Sequence, residues 1–315
     1  MKVTSIAVTG ANGFIGRHIS NALCDGPSQV RGLMGPFEST TDSIRHDVAN
    51  MSFIEGDIND EQLLAKLLEG VDAVVHLAGP PSVAESFRNP AKFLRVHAEG
   101  TASVLRVMTN LKIRKLVYIS SAEVYGQPSS DLVGESHPIQ ARSPYGAAKI
   151  AAEQLIQAMA PAANIDATIL RPFSIYGPGQ SRASLFSTIL SKVGAIDSEG
   201  TIELWDLAPV RDYCFVGDLA RAVLLALESE KAGVSTCNIG TSIGTSVGEL
   251  ASMVVACAGK KVQVRESVGH QRPPKSEIYS LVADRRLAKE ILNWEPDVTL
   301  SDGIAATVSA EEIPA

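Results

Sequence analysis

Short runs of apolar and β-branched residues alternate with longer stretches whose apolar positions recur every three or four residues. Residues 3–8, 29–33, 71–76, 115–120 and 167–171 have the look of buried strands, and 14–23, 61–68, 93–110 and 145–159 the period of amphipathic helices. Successive strands separated by helix-length segments pair in parallel, because the crossover must travel back over a face of the sheet. The expected fold is therefore α/β, a doubly wound parallel sheet. After Arg171 the alternation loosens into Pro/Gly-rich turns such as "YGPGQ" and "HQRPP", with helical segments at 218–227 and 247–258. No repeat and no low-complexity linker separates the halves, so the second region should pack against the first. Ligands of such sheets bind beyond the carboxyl ends of the strands, which puts the chemistry where the two regions meet.

The first strand runs into "TGANGFIGRHI", with Gly10, Gly13 and Gly16 at the strand-to-helix turn. Glycines there let backbone amides approach a pyrophosphate, whose charge is favoured at a helix N-terminus. On this reading Gly10, Asn12, Gly13, Phe14, Ile15, Gly16 and Arg17 form a dinucleotide-binding turn. "GDIND" and "HLAG" follow later strands; they offer Asp57 to the adenine amino group with Ile58 beside it, and Leu77, Ala78 and Gly79 as a close backbone passage. The second strand ends at Met34, where a carboxylate would bond a ribose 2′-hydroxyl and repel a 2′-phosphate. Its absence, and an arginine at Arg17 able to pair with a phosphate or else stand solvated, favours NADP(H) over NAD(H).

Tyr145 and Lys149 in "SPYGAAK" lie four apart on a helix and so share a face. A cation beside a phenol favours phenolate, so Lys149 is expected to lower the Tyr145 pKa and ready it to exchange a proton with a carbinol oxygen. The spacing alone is weak, since chance supplies it easily. Ser121, at the end of the 115–120 strand, strengthens it by offering a hydroxyl to the same oxygen.

Composition narrows the setting. The 315 residues are 45% hydrophobic with a formal net charge of −7 and no Lys/Arg-rich block, which argues against nucleic-acid or anionic-membrane partners. Cys24, Cys214, Cys237 and Cys257 are scattered and read as reduced core thiols, with no disulfide framework and no metal site. No apolar run reaches bilayer length, and the segment from Met1 lacks the ordered parts of a signal peptide, so a cytoplasmic protein is expected.

Taken in order, "TGANGFIG", "GDIND", "HLAG", "SSAEVYG", "SPYGAAK", "LRPFSIYGPG" and "VRDYCFVGDLARA" resemble the extended short-chain dehydrogenases, which include sugar-nucleotide epimerases, dehydratases, decarboxylases and 4-ketoreductases. The likeness covers about residues 2–303. It implies a modified Rossmann domain over 1–171, to which some later segments return, and a smaller C-terminal α/β substrate domain mainly over 172–315. It also implies a homodimer built on helices 93–110 and 145–159. By the same resemblance Ser121 and Tyr145 are catalytic hydroxyls and Lys149 binds the ribose and tunes the tyrosine. Arg211 and Arg272 would hold a nucleotide diphosphate or ribose, with Ser82 and Ser174 on the substrate side. His97 and Ser174 depart from the family, where asparagines are usual. Where dehydratases carry an Asp-Glu pair this chain has Ala122 and Glu123, so Glu123 stays open as a base, a sugar contact or a polar edge residue. The segment "LWDLAPVRDY" is similar to one in the 4-keto-6-deoxyhexose reductases. The resemblance thus points first to a nucleotide-sugar 4-ketoreductase, then to a 4-epimerase, then to a dehydratase or decarboxylase. A non-catalytic dinucleotide sensor would be expected to lose Tyr145 or Lys149, and both are present.

Overall fold

The computed structural model describes residues 3–35, 50–267, 273 and 276–311. Arg272 lies outside them. The chain begins with β1 (Ser5–Thr9), α1 (Phe14–Cys24), β2 (Gln29–Met34), β3 (Met51–Glu55), α2 (Glu61–Leu68) and β4 (Ala73–His76). Two short helices, α3 (Val83–Arg88) and α4 (Pro90–Leu94), lead through a π-helical turn (Arg95–Glu99) into α5 (Gly100–Leu111). Then come β5 (Lys115–Ile119), α6 (Pro144–Ala162) and β6 (Asp166–Pro172).

With β7 (Ser174–Tyr176), α7 (Leu185–Gly194), β8 (Glu199–Leu204), β9 (Val210–Arg211), β10 (Tyr213–Phe215) and α8 (Val216–Glu228) the chain leaves the sheet, and β11 (Val234–Ile239) rejoins it. It ends in β12 (Thr245–Ser246), α9 (Val247–Cys257), β13 (Lys261–Glu266), β14 (Ser280–Leu281), α10 (Arg286–Leu292) and α11 (Leu300–Ala310). The seven-stranded sheet has the order β11-β6-β5-β4-β1-β2-β3, with every neighbouring pair parallel.

Period-two alternation explains the two layers of helices. Ile6 and Val8 enter the core shared with α1 and α8, whereas Ala7 enters the opposite core with α2, α5 and α6. Val75 and Val117 repeat the first direction, Val74 and Leu116 the second. Strands covered on both faces read as unbroken apolar runs, which is why the central ones were legible. Edge strand β3 was not: Ser52 and Glu55 are exposed, so its pattern is diluted. A third core, around Tyr176, Phe186, Leu190 and Leu250, joins β7 to α7 and α9.

The expected helix over 93–110 is interrupted by the π turn, which contains His97. Thr101 Oγ1 donates to the His97 carbonyl at 2.5 Å, so the side chain supplies a bond where the backbone ladder widens. All four cysteines are free; Cys257 is exposed and so is not a core thiol. Among the described residues no helix is long and apolar enough to cross a membrane.

Charge also enters the core. Glu153 on α6 is 2% exposed and meets the Arg171 guanidinium through two bonds, Oε1 to Nε at 3.0 Å and Oε2 to Nη2 at 2.6 Å. Ser120 Oγ donates to the same carboxylate at 2.5 Å. Arg171 Nη1 reaches Tyr125 Oη at 2.8 Å, and that hydroxyl donates to Asn238 Oδ1 at 2.7 Å. Removing one partner of a buried pair strands the other charge and costs about 3–5 kcal/mol. Glu153→Gln should therefore lower the unfolding free energy from denaturant titration by that order, and a loss under about 0.5 kcal/mol, ordinary for a surface change, would show that the pair does not hold the core.

Candidate active site

Gly10 adopts φ +74° and passes so near β4's exit that a Cβ would stand 2.9 Å from Ala78 Cα, so only glycine fits this turn. Gly13 is exposed and starts α1 with no side-chain cap and no acid in the first turn. Asn12, Phe14 and Ile15 are half-buried beside it, and Gly16 packs against the Gly10 carbonyl. Uncapped amide donors at a positive helix end suit a pyrophosphate, and the residues present fit a dinucleotide. Arg17 is neither solvated nor free to swing: it is 6% exposed and its Nη2 donates to the Gly179 carbonyl at 2.6 Å. Asp57 accepts from the Asn59 amide at 3.0 Å and pairs with Arg95 at 2.8 Å, contacts that hold its pKa below the usual range; Ile58 is buried behind it.

The backbone passage at Leu77, Ala78 and Gly79 is held from beneath. Thr9 Oγ1 accepts from the Leu77 and Ala78 amides at 3.2 Å each and is bonded to His76 Nδ1 at 2.7 Å. His76 Nε2 meets Thr101 Oγ1 at 3.0 Å. Since Thr101 spends its proton on the His97 carbonyl, His76 donates from Nε2 and accepts at Nδ1. Burial pushes the His76 pKa down to about 3, so it is neutral, as that chain requires. His97 is also neutral, lowered chiefly by burial and then by Lys149. Its Nε2 donates to the Pro80 carbonyl at 3.1 Å, and its ring fills the space a Gly79 side chain would take. The same ring stands edge-on to Tyr145, centroids 5.4 Å apart.

Ser143 caps α6 by accepting from the Gly146 amide at 3.1 Å, and Pro144 occupies the first turn. Gly146 lets α6 press against the turn after β5, for a Cβ would lie 2.7 Å from the Glu123 carbonyl. That approach brings Tyr145 into hydrogen-bond contact with Ser121. Ser121 Oγ also accepts from the Glu123 amide at 3.2 Å. Ala122, where an Asp-Glu pair would begin, is a core residue 3% exposed.

In the chain by itself the Tyr145 phenol lies above its ordinary value, and the cause is burial. Burial raises the phenol to about 12, with the Ser121 bond lowering it and Glu123 raising it. Lys149 donates to the Ile119 carbonyl at 2.7 Å and lies 4.9 Å from the Tyr118 ring centroid. Burial pushes its own pKa down to about 7, Glu153 opposing, so near neutrality it carries only part of a charge.

A cleft of about 590 Å³ opens in the second region, lined in part by Ser174, Arg211, Trp205, Glu277 and Tyr279. Arg211 Nη2 pairs with Glu277 Oε1 at 3.2 Å. Ser82 does not line it; its hydroxyl caps α3 by accepting from the Glu85 amide at 3.2 Å, next to Pro81, which does. Sequence reasoning passed over Asp212, Glu153 and Arg171. Asp212 is fully buried and accepts from the Thr241, Ser242 and Ala283 amides, shaping the loops beside Arg211. Charged residues inside apolar segments were the available signal for all three.

Comparison with known proteins identifies the family. The profile of a family described as "NAD dependent epimerase/dehydratase family" matches residues 6–240. A UDP-glucose 4-epimerase from Streptomyces lividans is 30% identical, over 92% of this chain and 90% of its own. Among solved structures, the UDP-glucose 4-epimerase of Thermotoga maritima with UDP-glucose superposes with a TM-score of 0.87 at 28% identity, covering 98% of this chain and 99% of that one. The dTDP-glucose 4,6-dehydratase of Streptomyces venezuelae, with NAD bound, gives 0.86 at 28% identity, covering 98% and 97%.

The lowered Lys149 pKa has a measurable consequence. Below about pH 7 both folded and unfolded chains hold its proton, but up to the ordinary 10.5 only the unfolded chain keeps it, so rising pH stabilises the fold across that window. The denaturant midpoint of the parent, relative to that of Lys149→Met, should climb from pH 7 to 10. Parallel profiles would mean that the folded lysine stays charged.

Proposed function

The chain belongs to the NAD-dependent epimerase/dehydratase family, and from that premise we propose that it is a nucleotide-sugar 4-epimerase acting on a uridine diphosphate hexose. The observation that carries this is the meeting of Ser121, Tyr145 and Lys149 at the carboxyl end of β5, beside the glycine-rich turn and the Gly79 passage. Tyr145 must first release its own proton to solvent, a loss that the positive charge of a bound oxidised nicotinamide would favour; its phenolate oxygen then takes the proton of the C4 hydroxyl and later returns it, while Ser121 hydrogen-bonds the same oxygen. A dinucleotide held by the Gly10–Gly16 turn and the Leu77–Gly79 passage would supply the group that exchanges a hydride with C4. No further base is needed. Ala122 offers no acid for elimination, and Glu123 serves as a polar neighbour of Tyr145.

This reverses the order in which the sequence put reductase and epimerase. The reductase preference rested on likenesses along the C-terminal half, above all "LWDLAPVRDY", and that segment lines the cleft with Leu204, Trp205, Asp206, Pro209 and Arg211. Its likeness speaks of nucleotide binding, not of the direction of hydride transfer. The relatives named 4-epimerases match almost the whole chain.

For the cofactor the reading takes NAD, as found in the dehydratase relative. Arg17, the candidate for a 2′-phosphate, is spent on Gly179. Met34→Asp should tighten NAD(H) relative to NADP(H) in a fluorescence titration, because the new carboxylate bonds the 2′-hydroxyl and repels the 2′-phosphate.

Incubation with UDP-galactose and a catalytic amount of NAD should yield UDP-glucose with no net change in cofactor absorbance. Tyr145→Phe should lower that turnover about 10²–10⁴-fold while cofactor affinity holds. Stoichiometric NADPH loss with a nucleotide-linked 4-keto-6-deoxyhexose, and no interconversion of 4-hydroxy epimers, would make the protein a ketoreductase instead.

A further inference from the structure

The segment after β5 that carries Ser121 is tied at both ends to one ion pair. Ser120 opens it, and its buried Oγ donates to Glu153 Oε1 at 2.5 Å. Tyr125 closes it, also buried, and its Oη accepts from Arg171 Nη1 at 2.8 Å. Between these ends lie Ser121 and one 3₁₀ turn, Ala122–Val124, whose own bonds are longer: the Glu123 amide reaches Ser121 Oγ at 3.2 Å, the Val124 amide the Ser121 carbonyl at 3.3 Å and the Tyr125 amide the Ala122 carbonyl at 3.1 Å. So short a turn, with the poor bond geometry of its kind, has little stiffness of its own. Whatever fixes its ends therefore fixes Ser121.

The part that spans those ends is rigid. Glu153 and Arg171 share two bonds, and Tyr125 Oη passes its own proton to Asn238 Oδ1 at 2.7 Å, a bond it can make near neutrality because burial pushes that phenol up to about 12. On α6, Tyr145, Lys149 and Glu153 follow one another a helical turn apart, and they take hold of Ser121, the Ile119 carbonyl and the Ser120 hydroxyl. Three consecutive residues at the end of β5 are thus gripped by one face of one helix. We propose that Ser120 and Tyr125, tethered to the Glu153–Arg171 pair, are positioning residues that hold the Ser121 hydroxyl against the reacting oxygen. Their polar atoms are spent on the pair, so what they contribute to chemistry passes through Ser121. The inference rests on the reading of Ser121 as the partner of the C4 oxygen, and it adds what keeps that hydroxyl in place.

Two variants release one end each and leave the ion pair whole. Ser120→Ala removes a donor to Glu153, and Tyr125→Phe removes an acceptor for Arg171 while keeping the ring. Each should lower kcat about 10- to 100-fold with KM and cofactor affinity kept, since a displacement of about 1 Å can cost that much when only the transition state feels it. Ser120→Thr, which keeps the hydroxyl, should recover most of the loss. In a Ser121→Ala background there is no hydroxyl to position, so Ser120→Ala should cost no more than about twofold further. Loss of folded protein would instead lower turnover alike in both backgrounds. Equal losses in the two backgrounds, or an unchanged kcat in Ser120→Ala, would overturn the inference. Amide hydrogen exchange in the ligand-free protein gives a second reading: the Glu123 and Val124 amides should exchange faster in Ser120→Ala and in Tyr125→Phe. Exchange as slow as in the parent would also overturn the inference, and because it needs no substrate it separates failure of the clamp from failure of the epimerase reading. Should the enzyme consume NADPH on a 4-ketosugar instead, that reading falls and the same cycle of variants is measured on that reaction.

Discussion

Everything at the site leans on the ion pair between Glu153 and Arg171, inside the protein. Burying two charges is favourable only when geometry is close and the remaining atoms are bonded, and here the carboxylate takes two guanidinium bonds plus the Ser120 hydroxyl. The pair joins α6 to β6, and through Tyr125 and Asn238 it reaches β11 and the turn after β5. Ser120 precedes Ser121 in the chain, and Lys149 sits one helical turn before Glu153. The positions of the serine and the lysine thus follow from a contact that neither of them makes.

A second network approaches from the other side and carries no net charge. Thr9, His76 and Thr101 link the ends of β1 and β4 to the π turn, and His97 extends from that turn to Gly79, Pro80 and the Tyr145 ring. Neutral imidazoles suit this task, because a second cation near Lys149 would be repelled. Tyr145 is therefore fixed by aromatic packing on one side and by Ser121 on the other. Its orientation is set before any ligand arrives, which is how a site avoids spending binding energy on ordering.

The electrostatics of the two halves differ. Around Tyr145 burial keeps the phenol protonated and draws the proton from Lys149 near neutrality, so this part carries little charge. In the cleft, Arg211 is present as an ion with Glu277 at its side, and the apolar rings lie farther out. One half is suited to moving a proton and the other to holding an anion.

Local pattern carried far in this protein. Consecutive apolar runs specify strands covered on both faces, the spacing of Gly10 and Gly16 requires a tight strand-to-helix turn, and a four-residue separation puts Tyr145 and Lys149 on one helix face wherever the helix goes. Those properties depend on neighbours in the chain. Tertiary structure alone decided the rest. The Tyr145 pKa lies above its ordinary value because the ring is buried, while the Lys149 ammonium is bonded to the Ile119 carbonyl. Arg17 left solvent because the loop at Gly179, far along the chain, folds over it. Edge strand β3 was hidden because exposure erases the pattern that burial writes, and Trp205 joined Arg211 and Tyr279 in one cleft only through the packing of distant segments. Periodicity encodes which face of an element avoids water, whereas the field at a side chain and the partners of a charge depend on what the rest of the chain brings beside it.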